Sequence, residues 1–352
     1  MTTQRWLIYG ANGYTGELIA REAWQRGMDP VLAGRTEEKI LPLARELDCE
    51  ARLFSLDEPG KVARHLQDIA LVLHCAGPFS STGAPMVEAC LLSQTHYLDI
   101  TGEIEVFEYA YEQNDLARDA GIALCPGVGF DVLPTDCVAA RLKAALPDAD
   151  QLRLGFDSQS HLSPGTAKTA LEGLALGGKI RRDGEIATVP LTYKVRAIDF
   201  GAGPKRAVTI PWGDIASAYR STGIPNIETY MPVSTPVLTW LRCLRVVRPL
   251  LRWRLLQNPL QRRLGRIIRG PDSAHREQHP THIWGEASNP AGDKRTARIR
   301  IGNAYDVTVA AALAMAQAVL REPPAGGSYT PSQIMGPDFV TQLPGSGELS
   351  IE

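Results

Sequence analysis

The sequence predicts an α/β protein: a Rossmann-type doubly wound parallel sheet with a second α+β domain built on a mostly antiparallel sheet. Three observations predict it. Short apolar runs alternate with helical patterns through the first 125 residues. A glycine triplet directly follows the first of these runs. Beyond Pro126 the strand-like runs lengthen and take on partial polar–apolar alternation.

The strand candidates of the first part are Trp6–Tyr9, Pro30–Ala33, Ala51–Leu56, Ile69–Cys75, Tyr97–Ile100 and Ile122–Cys125. Helical patterns lie between them near 15–27, 36–47, 58–67, 83–94 and 103–120. Short strands that are apolar throughout need cover on both sheet faces, which interleaved helices provide. Residues 131–146 are predicted helical, followed by strand-like segments at 151–159, 191–200, 205–212, 225–233, 279–288 and 294–302. The last two flank Asn289-Pro290-Ala291-Gly292-Asp293, a turn cluster, and so predict a hairpin. A helix is expected at 164–176, opened by Ser163-Pro164 and closed by Gly177-Gly178. A long apolar helix at 306–321, with Asp306 as its cap, precedes a tail rich in proline and glycine. The expected domains are 1–130, completed by 304–352, and 131–303, which carries a basic amphipathic insertion at 236–270.

Composition narrows the function classes. The chain has 352 residues, 44% hydrophobic and 22% charged, enough to bury a core. Its net charge of −2 hides an asymmetry. Residues 236–270 hold nine arginines and no acid, leaving 28 basic against 39 acidic residues elsewhere. No domain-wide basic balance exists, so nucleic acid is not an expected partner. The uncharged stretch Thr229–Leu241 is too short to span a bilayer. Met1–Trp6 runs straight into a strand, so no signal peptide is expected. Six scattered cysteines without a CxxC point to reduced thiols and a cytoplasmic location rather than a disulfide framework. The histidines show neither HExxH nor a paired cysteine, so no metal is expected.

Gly10-Ala11-Asn12-Gly13-Tyr14-Thr15-Gly16 carries the first chemistry. Gly10 permits a tight turn, Gly13 lets a pyrophosphate approach the backbone, and Gly16 lets helix and strand pack closely. The following helix N-terminus offers N–H groups and partial positive charge to phosphates. At the end of the second strand an NAD-type site wants an acid for the ribose 2′-hydroxyl, but Arg35 stands there. A guanidinium suits a 2′-phosphate, with Thr36 and Lys39 close behind, so NADP is the expected cofactor. The alternative is that Arg35 merely ends a strand in solvent. The fourth strand closes on Ala76-Gly77-Pro78, small residues that let a cofactor lie across the switch point of the sheet.

The ordered series GANGYTG (10–16), LAGR (32–35), HCAGPFSSTGAPMVEACL (74–91), HYLDITGE (96–103) and GFDVLPTD (129–136) resembles the saccharopine dehydrogenase-like oxidoreductases. Within them it is similar to the branch holding the trans-acting enoyl reductases of lipid biosynthesis. Gly165-Thr166-Ala167 with Glu172, and Pro324–Gly327 with Thr330-Pro331, fit the same pattern. The resemblance implies an NADP-binding Rossmann domain, a second α/β domain and reductase activity, without implying saccharopine as substrate.

In such chemistry the cofactor supplies hydride, and the protein positions the substrate and supplies a proton. Tyr97, Asp99 and Asp131 are the first catalytic candidates, with Lys168 beside them. Alternation puts Tyr97 and Asp99 on one face of their strand and His96 on the other. Asp136 flanks the crossing into the second domain with Asp131, and plainer readings exist: Asp99 as a turn cap, Asp136 as a helix start, Lys168 as a solvated side chain. No tyrosine is followed four residues later by lysine, so the pair used by short-chain dehydrogenases is absent.

The basic insertion contains the cleanest amphipathic pattern. Leu260, Leu264, Ile267 and Ile268 share one face, with Arg262, Arg263, Arg266 and Arg269 opposite. Three uses are open: packing on the globule, contact with a membrane surface, or docking an acidic partner such as an acyl carrier protein. The expectation is thus an NADPH-dependent reductase of a C=C bond in a lipid-like or acyl substrate. Its location would be cytoplasmic or peripheral at the inner membrane face, with a homodimer as its assembly. The alternatives are a saccharopine-type amino-acid or imine oxidoreductase and a non-catalytic NADP-binding protein.

Overall fold

A computed structural model describes residues 4–158, 177–241 and 279–352. The chain divides into two compact units, one of Met1–Leu133 with Val307–Met335 and one of Pro134–Asp306 with Gly336–Glu352. The expected return of 304–352 to the first domain therefore needs correction, because Gly336–Glu352 belong to the second unit. There Ser350–Ile351 adds an antiparallel strand beside Lys294–Ile301.

The first unit is a seven-stranded sheet, parallel throughout. Its strands are β1 (Trp6–Tyr9), β2 (Val31–Gly34), β3 (Ala51–Leu53), β4 (Leu71–His74), β5 (His96–Asp99), β6 (Ala123–Cys125) and β15 (Gly327–Ser328). The order β3-β2-β1-β4-β5-β6-β15 reverses direction between β1 and β4, which makes that gap the switch point. The helices are α1 (Tyr14–Gln25), α2 (Glu37–Glu46), α3 (Pro59–His65), α4 (Phe79–Ser93), α5 (Ile104–Glu112) and α6 (Asn114–Ala120). Every residue of β1, β2 and β4 is buried, as a sheet covered on both faces requires. On one face Leu7, Val72 and Tyr97 pack with Val62 and Leu66 of the α3 region and Met86 and Val87 of α4.

Two helices differ from expectation for physical reasons. α4 begins at Phe79 rather than 83 because a distant carboxylate caps its first N–H groups, as described below. The helical stretch 103–120 is two helices, interrupted at Gln113.

In the second unit α7 (Leu133–Ala145) leads to β7 (Gln151–Asp157). Then come β8 (Gly178–Arg182), β9 (Glu185–Val189), β10 (Val195–Asp199), β11 (Pro204–Ile210), α8 (Asp214–Thr222) and β12 (Asn226–Pro232). β13 (Thr281–Ser288) and β14 (Lys294–Ile301) form the expected hairpin, and β16 (Ser350–Ile351) closes the nine-stranded sheet. Among the described residues of this sheet only the β7–β12 pair is parallel. α7 packs on this sheet at Gly285, where any Cβ would meet Leu142 at 2.6 Å and Val138 at 2.9 Å.

The remaining helices are α9 (Ala304–Arg321) and α10 (Pro331–Met335). α9 starts two residues before Asp306, and its first turn is held by Asn303, whose Oδ1 accepts from the Tyr305 N–H at 3.0 Å. Asp306 is therefore inside the helix rather than its cap. The β8–β9 hairpin and α8 were not expected. The helix expected at 164–176 and the arginines of the basic insertion lie outside the described residues.

Candidate active site at the carboxyl edge of the first sheet

All strands of the first sheet end at one edge, and the loops leaving it carry the predicted cofactor residues. Gly10 sits at φ +82°, a conformation that disfavours side chains, and a Cβ there would come within 2.8 Å of Ala76. At Gly16 a Cβ would lie 2.2 Å from the Gly10 carbonyl oxygen, so helix and loop can meet only at glycine. Gly13 differs: an added Cβ would find only the Gly10 oxygen, at 3.3 Å. The protein's own packing asks little of that position, as expected of a place kept bare for a ligand.

Hydrogen bonds from the Gly10 and Ala11 N–H groups to the Ala33 carbonyl, at 2.8 and 3.2 Å, tie the loop to β2. The Asn12 side chain lies over Gly34, where a Cβ would be 2.9 Å from its Oδ1. α1 then begins at Tyr14, followed by Thr15, with Gly13 as N-cap and no side-chain cap. A helix N-terminus left this way favours an anion. Arg35 and Lys39 are exposed, Thr36 is half-buried, and neither cation makes an ion pair among the described residues. Ala76 and Pro78 are half-buried and Gly77 exposed, on the loop after β4. These residues fit a dinucleotide with its pyrophosphate on α1 and an extra phosphate at Arg35.

The catalytic candidates separate. Tyr97 and Asp99 do share a face, and the Tyr97 hydroxyl donates to Asp99 Oδ2 at 2.6 Å. Asp99 Oδ1 accepts from the Thr101 and Gly127 N–H groups at 2.9 and 2.8 Å. With both residues fully buried, this arrangement fastens the loops after β5 and β6 together. Burial raises the Asp99 carboxyl to about 6 even though all three donors pull it down, and it drives the Tyr97 hydroxyl well up. His96 bridges the same two strands, its Nδ1 accepting from the Ala123 N–H at 2.9 Å.

Asp131 is the least enclosed of the three carboxylates in these loops. It packs against the Gly102 backbone, where a Cβ would be 3.2 Å from its own Cβ and 3.3 Å from its Oδ2. Burial, with a smaller push from the charge of Glu103, raises its carboxyl to about 7. A group poised there is partly protonated at neutral pH, as a general acid must be. Asp136 lies in the second unit, in the first turn of α7, where the Ser217 hydroxyl donates to it at 3.2 Å. Lys168 lies outside the described residues.

Glu103 has a role that sequence reading missed. Its two carboxylate oxygens accept from the Phe79 and Ser80 N–H groups, at 3.0 and 2.6 Å. It therefore caps α4 from 24 positions further along the chain. The only local signal was negative: Pro78, the N-cap, brings no capping side chain.

Comparison with known proteins bears on the family and cofactor of the first unit. Residues 6–125 match the family described as saccharopine dehydrogenase NADP binding domain. Human saccharopine dehydrogenase-like oxidoreductase is 28% identical over 152 residues, 37% of this chain and 35% of that protein. The trans-acting enoyl reductase of Mycobacterium tuberculosis is 27% identical over 215 residues, 56% of this chain and 50% of that protein. The chain thus spans about a third to a half of the length of these relatives. In fold it is similar to apo saccharopine dehydrogenase (L-Glu forming) of Saccharomyces cerevisiae, at TM-score 0.63 and 12% identity over 99% of both chains. It is also similar to the homospermidine synthase of Legionella pneumophila in complex with NAD, at TM-score 0.65 and 10% identity over 99% of this chain and 91% of that one. Residues 6–125 of the first unit carry the match to a saccharopine dehydrogenase NADP-binding domain, and NADP is the cofactor.

Proposed function

We propose that this chain, with its saccharopine dehydrogenase NADP-binding domain, is an NADPH-dependent reductase of an activated C=C bond in an acyl or lipid-like substrate. Asp131 carries the reductase reading: a carboxyl brought to about 7 on the same sheet edge as the dinucleotide loop. Bound NADPH supplies the hydride. Asp131 then donates its proton to the neighbouring carbon, so that hydride and proton together saturate the bond. Glu103 keeps a negative charge beside Asp131 and favours its protonated form. Asp99 takes no direct part and holds the two loops in place.

The substrate class is supported by the likeness to a trans-acting enoyl reductase and by the arginine-rich insertion at 236–270. That insertion is proposed to lie on a membrane surface or to dock an acyl carrier protein. Liposome flotation of the full chain, with and without Arg262, Arg263, Arg266 and Arg269, tests the first use. The likeness to saccharopine dehydrogenase-like oxidoreductases supports imine or amino-acid chemistry as the second reading. Anaerobic incubation with NADPH, enoyl thioesters and imino acids separates the two. Oxidation with imino acids alone would replace the first reading, and oxidation with neither would leave an NADP-binding protein without turnover.

A further inference from the structure

One polar pair in the first unit, a buried histidine and a half-buried threonine, lies outside everything assigned so far. His74 is the last residue of β4, fully buried, in register with Tyr9 of β1 and Asp99 of β5. Aromatic rings surround it: Phe79 at 5.3 Å, Tyr9 at 5.6 Å and Tyr97 at 6.2 Å between centroids. Its Nε2 lies 3.0 Å from the Thr82 hydroxyl in the first turn of α4, and its Nδ1 has no partner. Burial lowers the imidazole to about 3, so the ring is neutral.

The Thr82 hydroxyl lies 2.6 Å from the Ala76 carbonyl oxygen and 3.1 Å from that of Pro78. It has one proton to give, and carbonyls can only accept. With that proton on a carbonyl, Nε2 must donate, and Nδ1 becomes the bare acceptor. The relay therefore runs from His74 through Thr82 to Ala76. Ala76 is also the residue that leaves Gly10 no room for a Cβ, at 2.8 Å. A buried acceptor left unpaired costs stability, and an aliphatic side chain of similar size would avoid that cost. Glu103 grips the same loop further on, at Phe79 and Ser80.

We propose that His74 and Thr82 are positioning residues for the dinucleotide, holding the Cys75–Phe79 loop against the glycine loop so that both backbone walls are set before the cofactor arrives. Preorganisation of this kind lowers the ordering cost of binding. It rests on NADP as cofactor and is independent of the substrate and of the proton donor.

The test is fluorescence titration of the full chain with NADPH and, separately, displacement by 2′,5′-ADP, which carries only the adenosine end. Thr82→Val is expected to weaken NADPH by about tenfold, the loss of roughly one hydrogen bond. Thr82→Ser should restore affinity to within about twofold, and both variants should bind 2′,5′-ADP like wild type. His74→Leu should weaken NADPH while leaving the melting temperature of the ligand-free protein unchanged or higher, which no purely structural histidine would do. NADPH binding by Thr82→Val within about twofold of wild type would overturn the proposal. So would equal weakening of NADPH and 2′,5′-ADP, which indicates general damage. If wild-type protein takes 2′,5′-ADP but not NADPH, the relay is overturned while the Arg35 end stands.

Discussion

The carboxyl edge of the first sheet carries opposite charges at its two ends, and the protein treats them in opposite ways. At the β2 end Arg35 and Lys39 stand exposed without ion pairs among the described residues. At the β5–β6 end Asp99 and Glu103 are buried and committed, one to three donors and the other to the first turn of α4. An exposed, unpaired cation adds almost nothing to folding, which leaves it available to an arriving anion. A buried carboxylate is costly unless hydrogen-bonded, and those two are. Asp131 shares their loops but not their depth, and burial raises its carboxyl to about 7, where the hydrogen-bonded Asp99 reaches about 6. On the proposed reading, the basic end would receive a phosphate and the acidic end would hold one proton.

The largest effect that could break this contrast belongs to Asp131. Asp131→Asn keeps the shape and removes the proton, so turnover should fall by about 10²–10³-fold, the usual worth of a general acid. NADPH affinity should stay within about twofold, because Asp131 is not at the phosphate end. Stopped-flow oxidation of NADPH with the best enoyl acceptor measures it. A loss under about fivefold would move the proton donor elsewhere.

Arg35→Ala probes the opposite end. Losing a charge-assisted contact to the 2′-phosphate should weaken NADPH by about 10–100-fold and leave NADH nearly unchanged. Parallel fluorescence titrations with the two cofactors decide it, and an equal loss for both would refute the 2′-phosphate role.

The two ends also differ in how far the sequence revealed them. The basic end was legible because its reasons are local. Gly10, Gly13 and Gly16 sit in one turn, and Arg35 follows its strand directly. Tyr97 and Asp99 were legible as a pair because residues two apart share a strand face. The cap from Glu103 to Phe79 and Ser80 was not, since nothing near Phe79 announces a partner that the β4–β5 crossover brings in. That same cap explains why α4 starts earlier than its own residues suggest. The β8–β9 hairpin did carry a local sign: Asp183-Gly184, both at positive φ, is a turn pair of the hairpin kind. Its flanking strands are short and charged, with Lys179, Arg181, Arg182 and Glu185, which masked their periodicity.

A smaller effect links the acidic end to stability. The Asp131 carboxyl is raised in the folded protein from 3.8 to about 7. Between those pH values the folded state holds a proton that the unfolded state has released. Stability contributed by this group is therefore present at low pH and lost as pH rises from about 4 to 7. Asparagine cannot ionise, so Asp131→Asn should melt higher than wild type above pH 7, and the gap should close toward pH 4. A tenfold change in proton affinity on folding is worth about 1.4 kcal/mol, and solvent screening of a half-buried carboxyl reduces the whole effect to about 1–2 kcal/mol, a few degrees in melting temperature. Calorimetry at pH 4.5 and 8 on ligand-free protein reads the gap directly. A variant less stable than wild type at pH 8 would mean that Asp131 holds the fold together rather than a proton.

Lys39 sharpens the contrast at its weakest point. It sits one turn beyond Arg35, exposed and flexible, so it can meet a 2′-phosphate only as a point charge through water or at the limit of its reach. Exposed charge pairs are worth about 0.2–1 kcal/mol and are screened within about 10 Å at 0.1 M salt. Lys39→Ala should therefore weaken NADPH by about two- to threefold at low salt, with the difference vanishing near 0.5 M. The Arg35→Ala loss should persist there, because a bidentate guanidinium contact keeps its hydrogen bonds when the long-range field is screened. If both losses vanish together with salt, Arg35 acts only as a field, and the 2′-phosphate has no fitted seat at the basic end.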